Sequence, residues 1–436
     1  MVLAAAEFGL HTGMCRALHA APILHRARPG THSRVCVLRC SGAGGTITLM
    51  PDLREIYLDN AATTRPDPAV VAAMTSALTE GYGNPSSLHG KGVEAERRIT
   101  EARAQIAAVL RVDAPSVLFT SGGTEANNLA IKGAARAYRS RGRHVITTGV
   151  EHSSVLEALR SLEEEGFALT VLPVDGAGRV DPDDVRRAIR PETALVSVMA
   201  VNNEVGTVQP IAEIARAVRA ARGAGRLPLL HVDAVQAFGR VPLDAGEIDL
   251  LTISAHKVHG PKGIGALVVR EGVRLEPLLH GGDQQGGIRP GTENVPGIVG
   301  FGQAARRLSE TGGGAISHLQ RLRARLVERM GAIEGVAVNG PAGDGAAPHI
   351  LNLRILGVRG ETLVHQLELD SIYVSTGSAC HARDPRPSHV LLAMGLGREE
   401  ALSSIRISLA RTTTVEEVDA ASDAIARAIV ELRVLV

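Results

Sequence analysis

The chain has 436 residues, no tryptophan and only 2% aromatic residues. Stacking platforms for single-stranded nucleic acid are therefore not expected, and the core has to be built from Ala, Val, Leu and Ile. Lysine is equally scarce. Only Lys91, Lys132, Lys257 and Lys262 occur, so arginine carries nearly all the positive charge. Cysteine is confined to Cys15, Cys36, Cys40 and Cys380. Beyond residue 50 there is one thiol, which cannot make an internal disulfide; this suits a reducing compartment, and the cytoplasm is the expected location. Cys36 and Cys40 lack partners at zinc spacing, so no metal site is expected. Net charge is also missing: 47 basic residues face 46 acidic ones. That balance gives no bulk attraction to nucleic acid or an anionic membrane. No apolar run is long enough to cross a bilayer.

What is present falls into three stretches. Residues 1–50 hold Arg16, Arg26, Arg28, Arg34 and Arg39 against a single acid, Glu7. The composition is transit-peptide-like, yet Met50 stands just before the first convincing strand. The stretch reads as a disordered or mis-assigned extension, with organelle targeting as the alternative. From Ile56 onward short apolar runs alternate with amphipathic ones. Runs such as Leu195–Val201 lack the polar alternation of a half-exposed strand. Such a pattern predicts an α/β fold with a mainly parallel sheet covered by helices on both faces. Residues 66–305 are expected to form this large domain. After Gly300 the texture changes to a long Arg-rich helix (316–333) followed by mixed strands and helices. Residues 51–65 and 306–436 are expected to form a smaller α+β domain carrying the loop around Cys380. Gly312-Gly313-Gly314 reads as a flexible turn.

Open α/β sheets bind ligands beyond the carboxyl ends of their strands, and unusual polar groups recur there. Ser254-Ala255-His256-Lys257 follows an apolar run and precedes a Gly/Pro-rich turn. An amine that attacks a carbonyl must be lysine, because arginine stays charged. Lys257 could equally cap the turn or pair with a carboxylate. Ser121-Gly122-Gly123-Thr124 opens a helix, which suits an anion or an ordinary Thr cap. Other strand ends lead to Glu151-His152-Ser153, Asn202-Asn203-Glu204, and Asp233 with Gln236. His152 could move protons, stack on a ring or cap a helix. One ligand would use these groups together: a phosphorylated pyridine aldehyde. Its aldehyde needs Lys257, its ring nitrogen a carboxylate such as Asp233, its phenolate a donor such as Gln236, and its phosphate the helix start at Thr124.

Eight segments carry a resemblance. They are Tyr57–Thr64, Gly83–Ser87, Thr120–Asn128, Val201–Glu204, His231–Gln236, His256–Gly263, Arg289–Asn294 and Ser375–Cys380. Together they resemble the cysteine desulfurases, in the class V aminotransferase family of fold-type I pyridoxal-phosphate transferases. The resemblance runs from about Ile56 to the C-terminus. It implies that Lys257 bonds the cofactor aldehyde. It implies that Gly123, Thr124, Ser254 and His256 hold the phosphate, with Thr292 reaching in from the second subunit of a homodimer. Asp233 would pair with the pyridine nitrogen, Gln236 with the phenolate, and Asn203 would lie beside cofactor and substrate. His152 would stack on the ring and move protons. Arg406 would clamp the substrate carboxylate.

Cys380 is then the sulfur-accepting nucleophile. Its thiolate would take sulfur from L-cysteine as a persulfide, leaving L-alanine, and pass it to an iron–sulfur scaffold or a similar acceptor, where it could also contact the acceptor's cluster. His381 and Arg383 stand close in sequence and favour the thiolate. Cys380-His381 also resembles selenocysteine lyases, the alternative reading. An aminotransferase and a non-catalytic binding protein on the same fold are further rivals.

Overall fold

The computed structural model describes residues 38–41, 46–49, 55–222, 226–376 and 386–434. Within the first fifty residues, β1 (Leu38–Ser41) and β2 (Thr46–Leu49) pair antiparallel. Then come β3 (Ile56–Tyr57), β4 (Val117–Thr120), β5 (His144–Thr148), β6 (Ala168–Leu172) and β7 (Thr193–Met199). They are followed by β8 (Leu229–Asp233), β9 (Leu250–Ser254), β10 (Gly265–Val269) and β11 (Val336–Asn339). The last three are β12 (Ile350–Ile355), β13 (Ile372–Tyr373) and β14 (Ser404–Ser408).

The central sheet has seven strands in the order β4-β10-β9-β8-β7-β5-β6. All are parallel except β10, which runs antiparallel between β4 and β9. Successive residues on each strand enter different apolar clusters. Val145, Leu195, Leu229 and Leu250 pack with the helices Gly123–Asn128 and Ser153–Glu164. Their neighbours Ile146, Val196, Leu230 and Leu251 pack with Gly90–Leu110, Ile211–Arg222 and the start of Val295–Gly331. This two-residue period with both sets buried is what a sheet covered on both faces requires.

A second core is built around the antiparallel sheet β11-β12-β14 and the parallel pair β13-β3. It takes in Leu322 and Leu326 from the second half of the Val295–Gly331 helix, and Ile425 and Ile429 from Val415–Val434. Ile56 and Leu58 belong to this core although they lie far away in sequence. The glycine triplet read as a turn is the junction inside that long helix. Gly312 has φ 50° and ψ −149°, outside the helical region, so the two halves aim at different cores.

Sequence signals account for the helix starts. Asp67 caps Pro68–Thr79 by accepting from the Ala69 N–H at 2.9 Å, with Pro68 in the first helical position. Asp181 does the same before Pro182. Each satisfies an amide that has no partner within its helix.

Candidate active site

The carboxyl ends of β4, β5, β7, β8 and β9 open into one cavity of about 350 Å³. Gly123, Thr124, His152, Asn203, Asp233, Gln236, Ser254, His256, Lys257 and Arg406 all line it. Ten residues chosen from sequence thus meet in one place. Thr292 does not line it and is exposed on this chain. Cys380 lies outside the described residues.

Lys257 ends a single helical turn, Ala255–Lys257, directly after β9. Its Nζ donates to the carbonyls of Ala61 and Ala62 at 2.8 and 2.7 Å. The strand-turn carrying those carbonyls is clasped to the Lys257 turn. Thr64 donates its N–H and its hydroxyl to the His256 carbonyl, at 2.8 and 2.9 Å. Arg240, largely buried, donates to the Lys257 carbonyl. His259 has φ 64°, and its N–H donates to the Thr64 hydroxyl at 2.7 Å. Its ring contacts the Arg65 carbonyl, so His259 braces the turn, while Lys262 is exposed.

Asp233 is almost fully buried at the end of β8. Its Oδ1 accepts from the Val235 N–H at 3.0 Å, and its Oδ2 from Asn127 Nδ2 at 2.8 Å. Gln236 donates through Nε2 to the Ala61 carbonyl, and its Oε1 accepts from Arg240 and His349. This orients the amide with its donor end on the side of Ala61, another residue of the cavity wall. His152 caps Ser153–Glu164, with Nδ1 accepting from the Ser154 N–H at 3.1 Å. Burial holds the His152 pKa below its ordinary value. Burial, aided by the charges of Lys257, Lys262 and Arg240, pushes His256 down to about 4. Both rings are thereby biased to the neutral form near neutral pH.

Arg406 sits in the middle of β14 and is 2% exposed. One guanidinium nitrogen donates to Asp59 Oδ1 at 2.7 Å and another to the Asn203 carbonyl at 2.9 Å. The surface charge that a strand Arg most often represents is excluded here.

Four further residues shape the site without having been singled out. Asn127 bridges Asp233 and Ser154. Glu151 is fully buried behind His152, with Oε1 accepting from the Thr148 hydroxyl and the Met199 N–H. Glu204 and His389 line the cavity. Glu204 accepts from the Ser388 hydroxyl at 2.5 Å, and His389 Nε2 donates to the Glu151 carbonyl at 3.0 Å. Through these bonds Ser388 and His389, which follow Cys380 in sequence, are fastened to Glu204 and Glu151. Glu151 and Glu204 adjoin predicted residues in sequence; Asn127 lies in the Thr120–Asn128 segment that carries the resemblance, but nothing local gave it a role of its own.

The donor set suits a phosphorylated pyridine aldehyde. Ser254 Oγ is buried and has no protein partner among the described residues. A buried unpaired hydroxyl costs about 1–3 kcal/mol, so an anion accepting from it accounts for the site. A Cβ on Gly123 would come within 3.0 Å of Val235 Cγ2, so the glycine lets this backbone lie close to the wall without pressing on Val235. Among the described residues, no group of three or more His, Cys, Asp or Glu side chains could hold a metal ion. No described helix is long and apolar enough to cross a membrane.

A mostly parallel sheet with a strand-end lysine, a buried aspartate and a helix start all opening on one cavity is the arrangement of a pyridoxal-phosphate transferase of fold type I. The class-V aminotransferase profile matches residues 56–421, and the chain belongs to that family, whose enzymes depend on pyridoxal phosphate. The chain is 44% identical over 387 residues to the cysteine desulfurase IscS of Dictyoglomus turgidum, covering 88% of this chain and 96% of that protein. It is 46% identical over 389 residues to the mitochondrial cysteine desulfurase of Eremothecium gossypii, covering 88% and 77%. A solved NifS-like protein superimposes with a TM-score of 0.80 at 40% identity, covering 86% of this chain and 98% of that one.

Proposed function

We propose that this chain is a pyridoxal-phosphate-dependent cysteine desulfurase. It converts L-cysteine to L-alanine and holds the sulfur as a persulfide on Cys380 for transfer to an acceptor in iron–sulfur cluster assembly. The observation that carries this reading is the convergence of Lys257, Asp233, Gln236, His152 and Arg406 on one cavity, in a chain so similar to named desulfurases.

When bound, pyridoxal phosphate supplies an electron sink for the substrate carbons. Lys257 would hold it through its aldehyde. Gly123, Thr124, Ser254 and neutral His256 would bind the phosphate, with Thr292 of a second copy completing the set. Asp233, kept in place by Asn127 and the Val235 amide, would keep the pyridine nitrogen protonated, and Gln236 would donate to the phenolate. Asn203 would lie beside cofactor and substrate. Arg406, oriented by Asp59 and the Asn203 carbonyl, would fix the substrate carboxylate with its planar fork. The Cys380 thiolate attacks the substrate sulfur; the S–S bond forms as the carbon–sulfur bond breaks, and the electron pair stays with the carbon. His152 would lie against the cofactor ring and would handle the proton exchanged at the substrate.

The test adds L-cysteine to the purified holoenzyme and measures alanine, sulfide and the mass of the peptide carrying Cys380. Equal amounts of alanine and sulfur are expected, with one added sulfur on that peptide. Cys380→Ser should keep cofactor absorbance and lose sulfide release. Undiminished release from that variant would remove the nucleophile assignment, and keto acid in place of alanine would remove the desulfurase.

A further inference from the structure

His152 and Asp233 are joined by two residues to which the proposed reaction gives no direct part. Asn127 Nδ2 lies 2.8 Å from Asp233 Oδ2 and 2.8 Å from Ser154 Oγ. Ser154 Oγ lies 2.8 Å from His152 Nδ1, which also accepts from the Ser154 N–H at 3.1 Å. Asn127 and Ser154 are buried.

The hydrogens on this path can be assigned one by one. Asp233 is a carboxylate and accepts only, so the Asn127 atom facing it must be the NH2 group; the flipped amide would set two oxygens against each other. One Asn127 hydrogen goes to Asp233 and the other to Ser154 Oγ. Ser154 Oγ, having accepted, has its own hydrogen left for His152 Nδ1. That nitrogen already receives the Ser154 N–H, so it is the acceptor nitrogen of the ring. A neutral imidazole carries one hydrogen, and it must then sit on Nε2. The arrangement leaves Asn127 Oδ1 buried with no partner among the described residues. An unpaired buried oxygen is costly, and it is tolerated because the other end of the amide is held twice.

We propose that Asn127 and Ser154 are positioning residues that lock His152 as a neutral ring with its hydrogen on Nε2 and tie it to the cofactor-facing Asp233. A proton added to Nδ1 would face the Ser154 N–H and force the hydroxyl to turn round. His152 therefore presents a donor to the cavity and resists becoming an imidazolium, a state that would repel Lys257. Burial acts in the same direction. This inference rests on the proposed function for its consequence, but not for its test.

The test labels the cofactor-free protein with 15N-histidine and identifies the His152 signals by their loss in His152→Gln. The expected spectrum near neutral pH has Nδ1 unprotonated and Nε2 protonated. Ser154→Ala removes one donor to Nδ1 and leaves unchanged the groups whose charges act on the ring: Asp233, Glu204, Lys257 and His389. The His152 titration should then move up by about one pH unit, the value of one hydrogen bond. In the holoenzyme the matching limb of the kcat profile should move with it, while KM for L-cysteine stays within about twofold, since the Ser154 hydroxyl, although on the cavity wall, is already engaged by Asn127 and His152. Asn127→Asp should move the titration in the same direction, because its carboxylate draws the Ser154 hydroxyl away. A protonated Nδ1 in the unsubstituted protein would overturn the inference. So would a folded Ser154→Ala whose His152 tautomer and titration are unchanged. Neither result depends on turnover, so failure of the desulfurase reading is read separately.

Discussion

Glu151 shows how one side chain can tie the site to the stability of the fold. Burial, with a smaller contribution from the Asp233 charge, pushes its pKa from 4.5 up to about 8. The folded chain therefore keeps a proton that the unfolded chain has already released. The contribution of this group to stability is full below pH 4.5 and is lost progressively as pH rises to about 8. Glu151→Gln keeps an oxygen to accept from the Met199 N–H and the Thr148 hydroxyl, but cannot ionise. Urea unfolding of both proteins at several pH values between about 5 and 8 should show a flatter pH dependence in the variant. The difference should be on the order of a few kcal/mol at most. Equal slopes would mean that the carboxyl is charged in the folded protein. Residues of this kind also mark where sequence reading ends. Lys257 stood out because lysine is rare and follows an apolar run. Asp233 and Gln236 stood out because strand ends carry chemistry. The burial of Glu151, and the partners of Asn127, depend on strands brought together from distant parts of the chain, which no local pattern reveals.

At the scale of elements, strand and helix alternation was legible from residue 117 to 254 because each element has a clear period and a clear stop. The Gly312 junction was not. Three glycines suggest a loop, and only the cores on either side explain why a helix resumes at once. The structure separates the three glycines sharply. Gly312 adopts φ 50° and ψ −149°, whereas Gly313 and Gly314 have helical backbone and nothing within 4 Å of the place an alanine methyl would occupy. Gly312→Ala should therefore destabilise by about 1–3 kcal/mol through backbone strain. Gly314→Ala should stabilise by up to about 1 kcal/mol, since alanine loses less backbone freedom in a helix. Opposite signs in chemical unfolding would establish the junction; a loss in both, or a gain in both, would argue against it.

The whole molecule brings its two cores together at the cavity. The large sheet supplies Lys257, Asp233 and His152, while Arg406 comes from β14 and the Ala61 and Ala62 carbonyls from the turn after β3. Asn60 fastens that turn by donating to the Ser408 carbonyl at 2.9 Å. One proposed phosphate ligand is left over. Thr292 is exposed, outside the cavity of its own chain, and close in sequence to Arg289, which pairs with Glu125 at 2.8 Å at the start of the Gly123–Asn128 helix. If Thr292 serves a second copy, each site takes Lys257 from one chain and Thr292 from the other. Hybrid dimers of Lys257→Ala and Thr292→Ala chains then separate the cases. With Thr292 acting across the dimer, the site that keeps Lys257 also keeps an intact Thr292. The hybrid should show about half the activity of the unsubstituted dimer and hold its cofactor as tightly, because one site is whole and the other has lost both groups. With Thr292 acting within its own chain, the only site with Lys257 lacks Thr292. Cofactor retention in the hybrid would then match the Thr292→Ala dimer. Activity and cofactor release, measured on hybrids isolated through two different affinity tags, distinguish these results.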